Sequence, residues 1–235
     1  MFRLRLCCNL VSATKANNII MKKIFILTMI LGISAAALVA FIKPAEKKVI
    51  ATSNTQRAVE PGKWTVDQAH SNVKFTVKHL VVSEVEGAFK MFEGTMENSK
   101  DDLSDARINF IVDVNSINTD NEKRDNHLKS DDFFAAAKFP QMKFTSTSLK
   151  AVGDNKYKLA GDLTIRDVTK PVEFDVTYGG SVEAMGTTKL GFKAQTTINR
   201  FDYNLKWDKA TESGGLVVSK EVNILVNVEL NKVKE

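Results

Sequence analysis

Downstream of Met21 the chain has no cysteine, because Cys7 and Cys8 are its whole complement. That removes disulfide staples, thiolate metal ligands and a cysteine nucleophile from the body at once. Histidine is scarce too. His70, His79 and His127 are the three, and no two stand at the i, i+2 or i, i+4 spacing by which one strand or helix presents a ligand pair. No G-x-S-x-G string marks a serine nucleophile. Net charge is the last absence. Of 33 basic residues, Arg3, Arg5, Lys15, Lys22 and Lys23 precede residue 43, a stretch without Asp or Glu, so 28 basic residues face 28 acidic ones in the remainder. The body is neutral. The pI near 9.1 belongs to the N-terminal segment, and a nucleic-acid partner loses its electrostatic footprint.

What is present divides into four stretches. Residues 1–20 read as an upstream extension, since Met21-Lys22-Lys23 followed by the apolar run 24–42 has the grammar of a secretory signal. That run is also long enough to span a bilayer, so 21–42 is either a cleaved signal, ending at Ala37 or Ala40, or an N-terminal membrane anchor. Residues 43–62 are polar, carry prolines near both ends and read as a linker. Residues 63–235 form the domain, opened by Trp64 and large enough to build an ordinary core without staples.

Alternation with period two dominates the domain and predicts eight antiparallel strands. One face carries Val73, Phe75, Val77 and His79, then Ile108, Phe110, Val112 and Val114, then Met142 and Phe144. It continues with Leu159, Leu163 and Ile165, with Phe174, Val176 and Tyr178, with Leu190, Phe192 and Ala194, and with Val222, Ile224, Val226, Val228 and Leu230. The second strand, "GAFKMFEGTM", changes parity between Phe89 and Phe92 and predicts a bulge near Met91. "GDN" at 153–155 fits a hairpin, and "YGG" at 178–180 with Gly186 bounds another connection. Gly161 and Gly191, inside strands, permit coiling or close approach. Eight such strands make a closed barrel or a sandwich, and an eight-stranded barrel is either just filled by side chains or just able to hold one ligand.

"DNEKRDNHLKSDDFF" (120–134) has no alternation and reads as a short helix. Asp120 or Asn121 is its N-cap candidate, and Leu128, Phe133 and Phe134 are its inward residues. Arg124, Asp125 and His127 look chemical, but neighbours on a helix diverge by about 100°, which favours a self-paired, solvated face over one site. Arg200 and Asp202 in "NRFDY" share a face if the segment is a strand, which predicts an internal salt bridge. His70 is expected to order its loop through Asp67 or Ser71.

Five ordered blocks, "WTVDQAHSNVKFTVKH", "VEGAFKMFEG", "RDNHLKSDDFFAAAKFPQMKF", "GDLTIRDVTKPVEFDV" and "INRFDYNLKW", resemble the YceI-like family of exported bacterial lipid-binding proteins. The resemblance runs from Trp64 to the last strand. It implies an all-β fold with one or two short helices, namely an eight-stranded antiparallel lipocalin-like β-barrel with a helix between the third and fourth strands. It also implies an elongated apolar cavity for a polyisoprenoid or other long-chain lipid, homodimers in many members, and a periplasmic or secreted location. Asn204 departs from the family pattern, which has a small residue there, often glycine; Asn tolerates positive φ, so the turn is expected to survive.

On this reading the ligand-binding residues are Phe75, Val77, His79, Phe89, Phe110, Val112, Leu128, Phe133, Phe144, Leu159, Leu163, Phe174, Val176, Phe192, Ile224 and Val226. No catalytic residue, metal or cofactor is expected. Three alternatives stay open: aromatics that simply fill the barrel, an enzyme on a small hydrophobic substrate, and an interaction module with a packed barrel. The enzyme would need inward titratable groups clustered beyond His79.

Overall fold

The computed structural model describes residues 58–209 and 217–234. The upstream extension, the signal or anchor segment and most of the linker lie outside the described residues. Residues 58–61, assigned to the linker by composition, already belong to the fold: Val59 is 1% exposed and its N–H donates to Asp101 O at 2.9 Å.

Eleven strand segments build one sheet: β1 (Gly62–Val66), β2 (Asn72–His79), β3 (Ser83–Phe89), β4 (Phe92–Asn98), β5 (Arg107–Asp113), β6 (Ile117–Asn118), β7 (Gln141–Gly153), β8 (Lys156–Ile165), β9 (Val168–Ala184), β10 (Thr187–Asn199) and β11 (Val218–Lys232). Three pairs are single strands interrupted. A 3-10 turn at Gln68–His70 separates β1 from β2, Lys90 and Met91 separate β3 from β4, and a second 3-10 turn at Val114–Ser116 separates β5 from β6. The result is an up-and-down barrel of eight strands, closed where Trp64–Val66 pair with Leu230–Lys232.

The Met91 irregularity lets both Phe89 and Phe92 turn inward, each about 5% exposed, while Met91 stays 54% exposed between them. A second shift, at Ser146/Ser148, reverses the parity of β7, so that Leu149 faces inward although Met142 and Phe144 set the opposite count. "YGG" does not end a strand. β9 runs on to Ala184, with the register slipping between Gly191 and Phe192, because a glycine pair opposite Gly191 lets the strand bend and continue. The turn comes later, with Met185 (φ 54°) and Gly186 (φ 74°) in left-handed conformations.

The helix α1 (Glu122–Lys129) has Asn121 as its N-cap, whose side chain accepts from the Arg124 N–H at 3.0 Å. It lies across one end of the barrel with residues 130–140, the Ile165–Val168 turn, the β2–β3 hairpin and residues 200–209. The opposite end, the base, holds the β4–β5, β7–β8 and β9–β10 turns. There Trp64, Leu103, Tyr157, Tyr178 and Leu190 are 0–2% exposed, and Trp64 Nε1 donates to Asn98 Oδ1 at 2.9 Å. Outside this base, at the closure seam, Lys189 Nζ reaches Glu229 Oε1 (2.6 Å), Asn231 Oδ1 (2.8 Å) and Asp67 Oδ2 (3.2 Å), tying β10 and β11 to the end of β1.

Candidate functional site

Above the packed base the barrel is hollow. A cavity of about 250 Å³ runs between the inner faces of nearly every strand and reaches the helix end. Its lining is almost wholly apolar; Lys74, Thr95, Lys143 and Arg200 are the polar residue types that border it. Lys74 extends its ammonium outward to Glu86 Oε1 at 2.7 Å.

Alternation places most of the wall. Phe75, Val77, Phe89, Phe110, Val112, Phe144, Leu159, Leu163, Phe174, Val176, Phe192, Ile224 and Val226 border the cavity, with Leu128 and Phe133 closing it from α1 and the segment beyond. His79 does not. Expected on the same inward face, it ends β2 at the rim, opposite Ser83 and Val218, one step past the last apolar layer, where its strand has run out of barrel. Residues the sequence reading left out of the site include Leu149, Val218, Leu205 and Arg200. Leu149 is hidden by the β7 shift, and Leu205 and Arg200 lie where alternation has ended.

An eight-stranded barrel stays open only if its large side chains do not meet in the middle. Three inward-facing glycines arrange this. A β-carbon added to Gly87 would fall 2.3 Å from Phe75 Cζ, one on Gly94 would fall 2.6 Å from Phe110 Cδ2, and one on Gly161 would fall 2.4 Å from Phe144 Cζ. Each ring thus lies down on a neighbouring strand in space that only glycine leaves free, instead of projecting across the lumen. Phe144 also meets Phe174 edge-on at 5.4 Å between centroids, an arrangement favourable for aromatic pairs.

Arg200 overturns the expected salt bridge. Residues Arg200–Tyr203 form a 3-10 helix and not a strand, so the i, i+2 face does not exist; Asp202 lies outside, 3.9 Å from Lys170 Nζ. Arg200 is 4% exposed. Its Nε donates to Ser219 O (2.9 Å), Nη1 to Leu205 O and Trp207 O (both 2.7 Å), and Nη2 to Val218 O (3.1 Å). Burial pulls its pKa down, and the charge of Asp208 acts the other way. The guanidinium therefore serves as a bracket for four carbonyls, those of Leu205 and Trp207 after β10 and those of Val218 and Ser219 at the start of β11. Asn204 then turns the chain at φ 60°, as its tolerance of that region predicts.

The acidic and basic residues of α1 are committed in the same way. Asp125 Oδ1 accepts from the Thr119 N–H (2.9 Å) and hydroxyl (2.5 Å), and Arg124 Nε donates to Thr119 Oγ1 at 2.7 Å. Although adjacent, Arg124 and Asp125 meet at one residue because Thr119, in the loop between β6 and the helix, reaches both. His127 pairs with Asp132 at 2.9 Å and meets Phe133 and Trp207 edge-on. These contacts pin a cap onto the barrel and commit Arg124 and Asp125 to Thr119 and His127 to Asp132.

Among the described residues, the ligand atoms of Asp67, His70 and Glu229 lie within 4.8 Å of one another. Lys189 already sets its ammonium between the two carboxylates, so the charge a cation would supply is in place. The His70 contact, at 3.0 Å, followed by Lys189, the Ala69 N–H and Asn231, holds the Asp67 carboxyl well below the usual range against the opposing effect of burial. Glu229, then Asp67, raises the Lys189 pKa.

The YceI-like domain family matches residues 64–230. UPF0312 protein SAS2572 of Staphylococcus aureus (strain MSSA476) is 38% identical over 170 residues, covering 72% of this chain and 96% of that protein. Among solved structures, the Campylobacter jejuni YCEI protein is 34% identical with a TM-score of 0.58, covering 72% of this chain and 97% of that one. A polyisoprenoid binding domain from Saccharophagus degradans, 16% identical with a TM-score of 0.56 over 72% of this chain and 98% of that one, shares the fold.

Proposed function

The chain belongs to the YceI-like domain family, and on that premise we propose that it is a non-catalytic carrier of one long apolar chain, a polyisoprenoid or similar amphiphilic lipid, in the cell envelope. The observation that carries this reading is the hollow, apolar lumen held open by phenylalanines lying on glycines. A filled barrel would have no use for that arrangement. At about 250 Å³ the cavity is small beside ligand sites of roughly 300–1,000 Å³, which suits a single narrow chain better than a broad ring system. The likeness to a polyisoprenoid binding domain is one of fold and is consistent with this choice.

Affinity in such a site comes from burying carbon and excluding water. At about −0.3 kcal/mol per heavy atom, a chain of about 20 carbons would reach about −6 kcal/mol and one of about 40 carbons about −12 kcal/mol, a span from tens of micromolar to nanomolar. Affinity should thus climb with chain length until the lumen is full. The basic and apolar segment at 21–42 supports export to the periplasm or beyond, with that segment cleaved or retained as an anchor.

Native mass spectrometry of protein purified without added lipid, followed by organic extraction, tests the reading. The expected result is a chain-sized adduct released by solvent and replaced by added prenyl alcohols, with the same spectra reporting monomer or dimer. Repeated recovery of protein that carries no adduct and takes up no prenyl alcohol would overturn it.

A further inference from the structure

Three consecutive apolar residues stand in solvent at the β2–β3 tip: Leu80 is 42%, Val81 80% and Val82 85% exposed. The backbone there is unusual as well. Leu80 (φ 51°) and Val81 (φ 64°) both occupy the left-handed region, the geometry of a tight hairpin turn that Asn-Gly or Asp-Gly adopts readily and a β-branched residue resists. The turn is nonetheless firmly built, with Val82 N–H donating to His79 O at 3.2 Å and Leu80 N–H to Val217 O at 2.9 Å. Unfavourable residues are thus held in a costly turn with their side chains in solvent, so what they offer is offered outside the chain.

Their position says to what. Val217, which accepts from Leu80, precedes Val218, a cavity-lining residue, and Val77, three residues before the tip, lines it too. Phe75, Val77, Val218 and Val222, half-buried, line the cavity directly below the tip, where β2 meets β11. The opposite end is plugged by the Trp64 and Leu103 layer. Its exposed apolar residues, among them Val152, Val182 and Met185, do not form a consecutive run.

We propose that the Leu80–Val82 tip inserts into the surface of a lipid bilayer and sets the helix end of the cavity against the membrane from which the chain is loaded. This rests on the lipid-carrier reading and adds the route by which the ligand enters. Charges at the tip are balanced, with Lys78 opposite Glu84 and Asp208 beside Lys209, so insertion depends on apolar contact and not on anionic lipid. Three side chains fall far short of the roughly 800 Å² each partner buries in a stable protein complex, which argues against a second copy as the occupant.

The absence of cysteine after Met21 makes the test clean. In the full chain with Cys7→Ser and Cys8→Ser, an environment-sensitive fluorophore is attached through Val82→Cys or, as control, Met185→Cys, a residue 91% exposed in the left-handed β9–β10 turn at the other end. On uncharged phosphatidylcholine vesicles the label at 82 should shift to the blue and be quenched by lipids brominated on their tails, while the label at 185 stays water-like, even if residues 24–42 hold the protein on the vesicle. Equal signals from both labels, or insertion at 185 alone, would overturn the proposal. The paired variant Val81→Asp with Val82→Asp should slow transfer of a prenyl chain from vesicles at least tenfold and leave affinity for detergent-dispersed chain unchanged. Normal transfer by that variant overturns the proposal, as does a dimer in sedimentation that the variant abolishes. A protein whose tip inserts but whose cavity takes up no chain defeats the carrier reading and with it the loading route, while the insertion of the tip into the bilayer stands.

Discussion

At the base of the barrel Trp64, Leu103, Tyr157, Tyr178 and Leu190 are 0–2% exposed, whereas farther along the same walls Phe75, Phe110, Phe192 and Ile224 are half-buried around empty space. Both regions are written in alternating apolar residues. At the base the side chains meet one another, and Trp64 finds Asn98 for its N–H. Higher up, Gly87, Gly94 and Gly161 let Phe75, Phe110 and Phe144 lie flat, and the middle is left for something else. The first region supplies stability and the second supplies capacity, so substitutions should separate the two.

The largest effect on stability should come from the base. Trp64→Ala removes a fully buried ring and leaves Asn98 Oδ1 without the indole donor, at about 3–5 kcal/mol in denaturant titration, with chain affinity little changed in the fraction that folds. Comparable loss of chain affinity would mean that base and lumen are one unit. Phe174→Asp should do the reverse. A carboxylate in the lumen should cut prenyl-chain binding at least a hundredfold, whereas Lys78→Glu on the outer face should leave a binding titration unmoved.

Arg200→Met deprives four carbonyls of donors and should cost about 2–4 kcal/mol, and Arg200→Lys should restore little of it because one ammonium cannot span four positions. Gly161→Ala, whose β-carbon would meet the Phe144 ring and also Thr145 O at 2.5 Å, should cost about 1–3 kcal/mol and, as Phe144 gives way into the lumen, shorten the longest prenyl alcohol retained in native mass spectra. Unchanged capacity would detach the glycines from the cavity.

The smallest effect is on pH. The Asp67 pKa is depressed in the folded state, so its contribution to stability is complete above the ordinary carboxylate range and is lost as pH falls through the lower folded value. Acid unfolding of Asp67→Asn should therefore show a shallower slope below about pH 4 than the parent protein.

The strand faces and the capped helix are legible in the residues because both are local: period two assigns a face, and Asn121 satisfies the Arg124 N–H three residues on. The parity break at Phe89 and Phe92 could be read for the same reason. His79 could not, since alternation carries no record of where a barrel ends. Leu149 was lost to an extra residue in β7, and Arg200 to a 3-10 turn that dissolves the strand count.

The sequence by itself determined a neutral, cysteine-free β-domain, the inward identity of most of the wall, and the family to which the blocks belong. Tertiary structure alone decided that the inner face is packed at one end and hollow at the other. The reason is physical: alternation says which side of a sheet a residue occupies, but whether it meets a neighbour or a void depends on glycines and rings brought together by pairing across strands. Phe144 and Gly161 are 17 positions apart in the chain, yet a virtual β-carbon on the glycine would sit 2.4 Å from the ring.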